Sequence, residues 1–235
     1  MSKGVKCLIT ILLIAFGVTT LVVYGKESLK VMKDPYNIEE ADLSQVKIGD
    51  YVTLDVTISL GAGAEIYVAK RNVATGERTL IGINDMSYLI PIISNEGNKI
   101  NVDHVLSVKV MPENFEVFNT ATSAFCEWID LTMEDVYEFY DGVDFNQYIN
   151  EKKNLDMDKL PQNVVYHYEG IVQEIPYDVM DSEFEAVKSY GLRDRMENFY
   201  IVPAPDKEVV FPGAIIGIVL ILVGIIVGIV FMKKR

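Results

Sequence analysis

Two uncharged apolar runs, one near each end, constrain this chain more than any other feature. The first is Cys7–Tyr24, 18 residues, and the second is Phe211–Met232, 22 residues. As helices they reach roughly 27 and 33 Å, enough to cross a hydrocarbon core of ~30 Å. In lipid a helix satisfies its own backbone groups, which an isolated strand does not. Both runs are therefore predicted to be transmembrane helices, spanning 7–24 and 211–232. Residues 1–6 and 233–235 are left as short ends.

Charge sets the expected orientation. Lys3 and Lys6 precede the first span, and Lys233, Lys234 and Arg235 follow the second. No Asp or Glu lies in residues 1–26 or 209–235. Positive flanks stay in the cytoplasm. Both ends are then expected inside, with residues 25–210 held outside the cytoplasm. Lys3 and Lys6 before an apolar stretch also describe a secretory signal. Val23 and Gly25 offer small residues ahead of a cleavage point. The run is long for a signal core, however, and no Ala-x-Ala follows it, so a retained anchor is the reading adopted. Cys7 sits too early in the run to be a lipoprotein cysteine.

The segment between the spans carries 16 basic residues against all 34 acidic residues of the chain. Such a surface repels nucleic acid and anionic lipid headgroups. It permits cations or a basic partner, although a solubilising surface is the plainer meaning. Cys7 and Cys126 are the two cysteines. No disulfide can close within the central domain, which must stand on its packed core. A disulfide-poor exterior suits a bacterial protein.

Residues 46–111 read as β-rich. Tyr51, Thr53, Asp55 and Thr57 alternate with Val52, Leu54, Val56 and Ile58, the period of a half-buried strand. Lys47-Ile48-Gly49-Asp50 is a turn entering it. Gly61-Ala62-Gly63 interrupts the run before Glu65–Arg71, which reads as a hairpin. Thr75-Gly76-Glu77 is the next turn. Arg78–Ile83, Ser87–Ile93 and His104–Met111 follow as short strands, with Pro91 expected on an edge or at a bulge. Residues 112–160 change to helical spacing. Phe125, Ile129, Met133, Val136, Tyr137 and Tyr140 form one stripe, ended by Asp141-Gly142, and a short helix covers Asn146–Lys153. Residues 164–210 return to β. Val164–Ile175 is a strand with Gly170 as a close-approach site. Ser182–Ser189 is a helix opened by Asp181 or Ser182 and ended at Tyr190-Gly191. Phe199–Val202 is the last strand. The expected fold is α+β: two terminal transmembrane helices flanking a β-rich, small-barrel, OB-like extracytoplasmic domain with a helical insertion.

No coherent catalytic set emerges. His104 and His167 lack metal-site spacing and read as structural. No Gly-x-Ser-x-Gly elbow or phosphate loop is present. Cys126 reads as a core cysteine near a helix start. Asp141, Asp144 and Asn146 lack the glycine and distant Glu of a calcium loop, and read as a helix-end turn. No catalytic, cofactor or metal residue is assigned. Aromatic residues crowd the insertion, and any left exposed would mark a contact surface.

The clearest pattern lies in the last helix. Gly213, Gly217, Gly224 and Gly228 fall within an arc of about 60° at helical spacing. Such a face lets another helix approach closely. Ala15 and Thr19 give the first span a matching small pair. The partner for this face is the first span, a second copy or another protein.

The lay-out, with VKIGDYVTLDV at 46–56, SYLIPI at 87–92 and a closing strand before the last span, resembles an uncharacterised bacterial two-span membrane family. The resemblance implies the two-span architecture and carries no assigned activity. By architecture alone, the barrel reading is similar to the oligonucleotide/oligosaccharide-binding type of fold, which does not fix function. The expected function is a membrane-anchored extracytoplasmic interaction or scaffold module. It meets the bilayer and a protein partner, or itself, through the C-terminal helix, with no nucleic acid. The alternative is a membrane-tethered sensor of a small ligand or divalent cation, or an enzyme of unknown type.

Overall fold

The computed structural model describes residues 3–71, 78–96, 99–153, 155 and 159–233. The turn read at Thr75-Gly76-Glu77 lies outside them. The chain divides into two compact units, one comprising Met1–Pro35 with Ala204–Arg235 and the other Tyr36–Pro203.

The first unit is a pair of long helices, α1 (Lys3–Lys30) and α6 (Lys207–Lys233). Both are long and apolar enough to cross a membrane.

The second unit is built on strands β1 (Tyr36–Asn37), β2 (Tyr51–Val56), β3 (Gly61–Arg71), β4 (Arg78–Glu96), β5 (Lys99–Val110), β6 (Tyr166–Glu174) and β7 (Met196–Pro203). They form one seven-stranded mixed sheet in the order β1-β2-β6-β7-β5-β4-β3. The expected closed small barrel is not formed: β1 and β3 are free edges. The sheet is nevertheless strongly coiled. Val56 and Gly61 are joined by four residues, a reach of at most ~18 Å. In a flat sheet the five strand spacings between β2 and β3 would alone take ~24 Å. The short link therefore draws the two ends of the sheet together without pairing them.

The hairpin expected between β2 and β3 is also corrected. β2 pairs with β6, through Val52↔Gly170 to Val56↔Tyr166, and β3 pairs with β4. Gly61 and Gly63 lie inside β3 rather than in a turn. The two short strands read over 78–93 are one strand, β4. Pro91 fits because β3 stops pairing at Leu89, so beyond that point β4 has β5 on one side only.

The period-2 pattern of β2 does its expected work. Val52, Leu54 and Val56 are buried on one sheet face beneath α2 (Phe115–Ile129), together with Tyr88, Leu106, Val108, Phe118 and Ile201. The opposite face, with Leu89, Val102 and Val105, forms a second core with helices α3 (Met133–Tyr140), α4 (Phe145–Lys152) and α5 (Tyr177–Lys188). The single helical stripe read through Tyr140 is two helices. Asp130 takes a left-handed conformation, φ 53°, and ends α2, and Thr132 with Asp135 then forms a capping box that starts α3. α5 begins at Tyr177 after Pro176, a turn earlier than Asp181 or Ser182 predicts, because proline's fixed φ suits a helix entry. It gives way to Gly191 at φ 64°, as expected.

Candidate functional site

The glycine face belongs to the helix-pair unit and is occupied there by α1. A Cβ placed on Gly217 would lie 2.7 Å from the Leu21 backbone nitrogen, one on Gly224 2.7 Å from Ile14 Cγ1, and one on Gly228 3.1 Å from Thr10 Cγ2. A Cβ on Gly213 would collide with the Tyr24 ring. The partner numbers fall as the glycine numbers rise, so the helices run antiparallel. Ala15 and Thr19 do not meet this face; both are exposed, and the Thr19 hydroxyl donates to the Ala15 carbonyl at 3.0 Å. The small residue that α1 presents is Gly17, whose added Cβ would lie 2.9 Å from the Gly217 carbonyl oxygen. Thr10, Ile14, Gly17, Leu21 and Tyr24 recur at alternating steps of four and three, the spacing of a supercoiled seam.

In the Tyr36–Pro203 unit, a polar cleft of about 440 Å³ opens between the sheet and the helical segment. Asp103 and His104 come from β5, Asp144 from the start of α4, Gly191 from the end of α5, Asp194 and Arg195 from the following 3-10 turn, and Glu197 from β7. Each is placed by local structure. Asp144 caps α4 by accepting from the Gln147 amide at 3.0 Å. Two pairs frame the cleft: His104 Nδ1 with Glu197 Oε1 at 2.6 Å, and Arg195 Nη2 with Asp144 Oδ2 at 3.4 Å. Four carboxylates thus face one guanidinium and one imidazole. Among the described residues, no three His, Cys, Asp or Glu side chains gather closely enough to hold a metal ion. The charge is spread around the walls and suits a polar, positively charged solute several atoms across.

Of the residues weighed in the sequence, the cleft takes His104 and Asp144. His167 lies elsewhere, paired across strands with Asp55 at 2.5 Å. Asp141 follows the last turn of α3, and Asn146 uses its amide to hold the Val102 backbone at 2.8 and 3.1 Å. The acidic run 141–146 is therefore capping and bracing. Cys126 is exposed on α2, not in the core as expected. Sequence reading missed Arg195 and Glu197, for which the charged run Arg193-Asp194-Arg195 ahead of β7 was the one local signal.

A second surface is apolar. Met133, Tyr137 and Tyr140 recur on one face of α3 and are 67%, 63% and 49% exposed. Tyr137 and Tyr140 are the aromatics that packing leaves exposed in the insertion. No family model, curated protein or solved structure matches the chain.

Proposed function

We propose that this chain is a membrane-anchored binding module whose two apolar helices cross the bilayer with both ends in the cytoplasm, holding Tyr36–Pro203 outside to take up a small cationic solute. The length of the helices, the uncharged apolar runs within them and the positive flanks support the topology. The observation that carries the binding role is the cleft, with His104, Glu197, Asp144 and Arg195 disposed around one opening. Its volume falls in the range of small-molecule sites, and its polar walls favour a charged or hydroxylated solute over an apolar one. A polyamine and an amino sugar represent such solutes, and calcium is the metal-ion control, since no described side chains gather as a ligand set for it.

The test is thermal unfolding of the full chain in detergent micelles with calcium, spermidine or glucosamine. A solute at a hundred times its Kd stabilises the folded state by about 2.7 kcal/mol. The expected result is a concentration-dependent rise in Tm with spermidine or glucosamine, lost in Asp144→Asn and in Glu197→Gln. Flat titrations with both organic solutes, or a rise that survives both substitutions, would remove the reading.

The exposed Met133, Tyr137 and Tyr140 face favours a second reading, a scaffold that docks a protein partner, since large exposed aromatic area is characteristic of contact surfaces. Crosslinking in intact membranes would separate the two. Under this reading a heterologous product forms with wild type and is lost in Tyr137→Glu, and recovery of monomer alone would count against it.

A further inference from the structure

We propose that Glu183 is a buried proton-binding site, un-ionised while α5 is seated on the sheet, so that rising pH loosens α5. Glu183 is not among the residues that line the cleft. Glu183 lies in the middle of α5 with 0% exposure, and its Cγ sits 2.9 Å from the position a Cβ would take on Gly63 of β3. Ser107 of β5 donates its hydroxyl to Oε1, while Oε2 is buried without a partner. No cation pairs with it among the described residues. Among the described side chains, the ammonium on this sheet face is that of Lys109 of β5, which is committed to the buried Asp85 of β4 at 2.7 Å. Among the described residues, other cations around α5 have partners too. Arg193 lies over the Phe184 ring at 5.8 Å, Arg195 faces Asp144, and His104 faces Glu197.

An uncompensated carboxylate here would have to give up its hydration with no opposite charge in return, which buried groups avoid by neutralising. The surroundings show where the proton serves. Three further buried oxygens make no hydrogen bond of normal geometry, although the Ser87 hydroxyl lies near enough to Glu183 to act on it: Asp85 Oδ1, the Ser87 hydroxyl and the Tyr200 hydroxyl. The register places them on one face of the sheet, since Ser87 is opposite Lys109, and Ser107 is opposite Tyr200. Ser87 and Tyr200 are hydroxyls, able to donate or accept, so a proton on Oε2 lets that oxygen donate on this face, where a carboxylate could only accept. Burial pushes the Glu183 carboxyl above its ordinary range, opposed in part by the Ser107 and Ser87 hydroxyls. Burial, then the nearby Asp85 and Glu183, likewise pushes the Tyr200 hydroxyl up. The site also has a route to the rest of the unit. α5 runs through Gly191 into the turn that carries Asp194 and Arg195, so its seating positions one wall of the cleft.

The sign follows from linkage. Below about pH 4 the folded and unfolded chains both carry the proton. As pH rises past the ordinary carboxylate value, the unfolded chain ionises first, and the folding equilibrium falls up to tenfold per pH unit until the folded-state value is reached. Full-length wild type and Glu183→Gln would be unfolded in micelles at intervals between about pH 4.5 and 8. The glutamine mimics the neutral acid, so the ratio of the wild-type to the variant folding constant is expected to fall, by up to tenfold per pH unit, until the folded-state carboxyl ionises, and to level off above that. Infrared difference spectra of the folded wild type should show the carbonyl stretch of an un-ionised carboxylic acid, which disappears as pH rises and is missing from the variant. That band is read on the wild type alone and needs no variant to fold. Parallel pH profiles with no such band would overturn the proposal. So would stabilisation by calcium, sodium or potassium at fixed pH that Glu183→Gln abolishes, since the site would then hold a cation.

Discussion

Asp135 shows how much one side chain can tie together. It accepts from the Thr132 amide at 2.7 Å, closing the capping box of α3, and from the Tyr148 hydroxyl of α4. Its other contact is Lys153 just past α4, at 2.8 Å. Burial alone pushes the carboxyl up, but Lys153, Tyr148 and Thr132 together hold it well below the usual range. A group depressed in this way stabilises the fold above its ordinary value and loses that contribution as pH falls. Asp135→Asn is expected to cost about 3 kcal/mol near neutral pH, because it leaves Lys153 with the Asp130 carbonyl but without its counter-charge. The difference from wild type should shrink below about pH 4. Urea unfolding followed by the single tryptophan, Trp128, measures both, and a difference that stayed constant on acidification would refute the pairing. Gly170 acts through space rather than charge. A Cβ there would lie 2.8 Å from Tyr168 Cε1 and the Val202 carbonyl oxygen, and closer still to Ile201. Gly170→Ala is expected to cost about 2 kcal/mol by overpacking, read by the same titration; an unchanged midpoint would show that β6 and β7 can shift apart.

At the scale of elements, what the sequence made legible depended on whether the deciding interaction was local. The apolar helices, β2 with its buried Val52, Leu54 and Val56, and the Gly191 stop each follow from a few neighbouring residues. The break between α2 and α3 turns on Asp130 alone adopting a left-handed conformation, which the continuous stripe of Phe125 to Tyr140 conceals. The partner of β2 lies more than a hundred residues downstream in β6, so no nearby signal could distinguish it from β3. The cleft was hidden for the same reason, since its walls come from segments between Asp103 and Glu197. The glycine face was legible because periodicity alone aligns it, but its match on α1 was not. Gly17 meets it rather than Ala15 and Thr19, because the seam follows steps of three and four rather than a single pair of small residues. This pairing yields a direct test. With Cys7 and Cys126 replaced by Ser, cysteines at Thr10 and Gly228 should form a disulfide on oxidation. Adding Gly217→Leu should cost the contact about 1–3 kcal/mol and lower the bridge yield several-fold. An unchanged yield would show that close approach at Gly217 is not what holds the helices together.

For the whole molecule, the decisive question is on which side of a membrane the sheet unit lies, and the chain carries its own reporter. It has two cysteines. Cys126 is exposed on α2 in the Tyr36–Pro203 unit, and Cys7 lies in α1, within the first apolar run. The proposed topology puts Cys126 outside and Cys7 at the cytoplasmic edge of the bilayer. A membrane-impermeant maleimide added to intact spheroplasts should therefore label one thiol per chain, and Cys126→Ser should abolish the signal. Permeabilising the membrane should leave Cys126 labelling unchanged in a Cys7→Ser background. Labelling of Cys126 only after permeabilisation would reverse the orientation, and with it the reading of the positive flanks. The outcome also bears on Glu183 and the cleft. A sheet unit outside the cytoplasm meets the pH and the solutes of the cell's surroundings, where a carboxyl that holds its proton through folding and a cleft lined by carboxylates would both have something to sense.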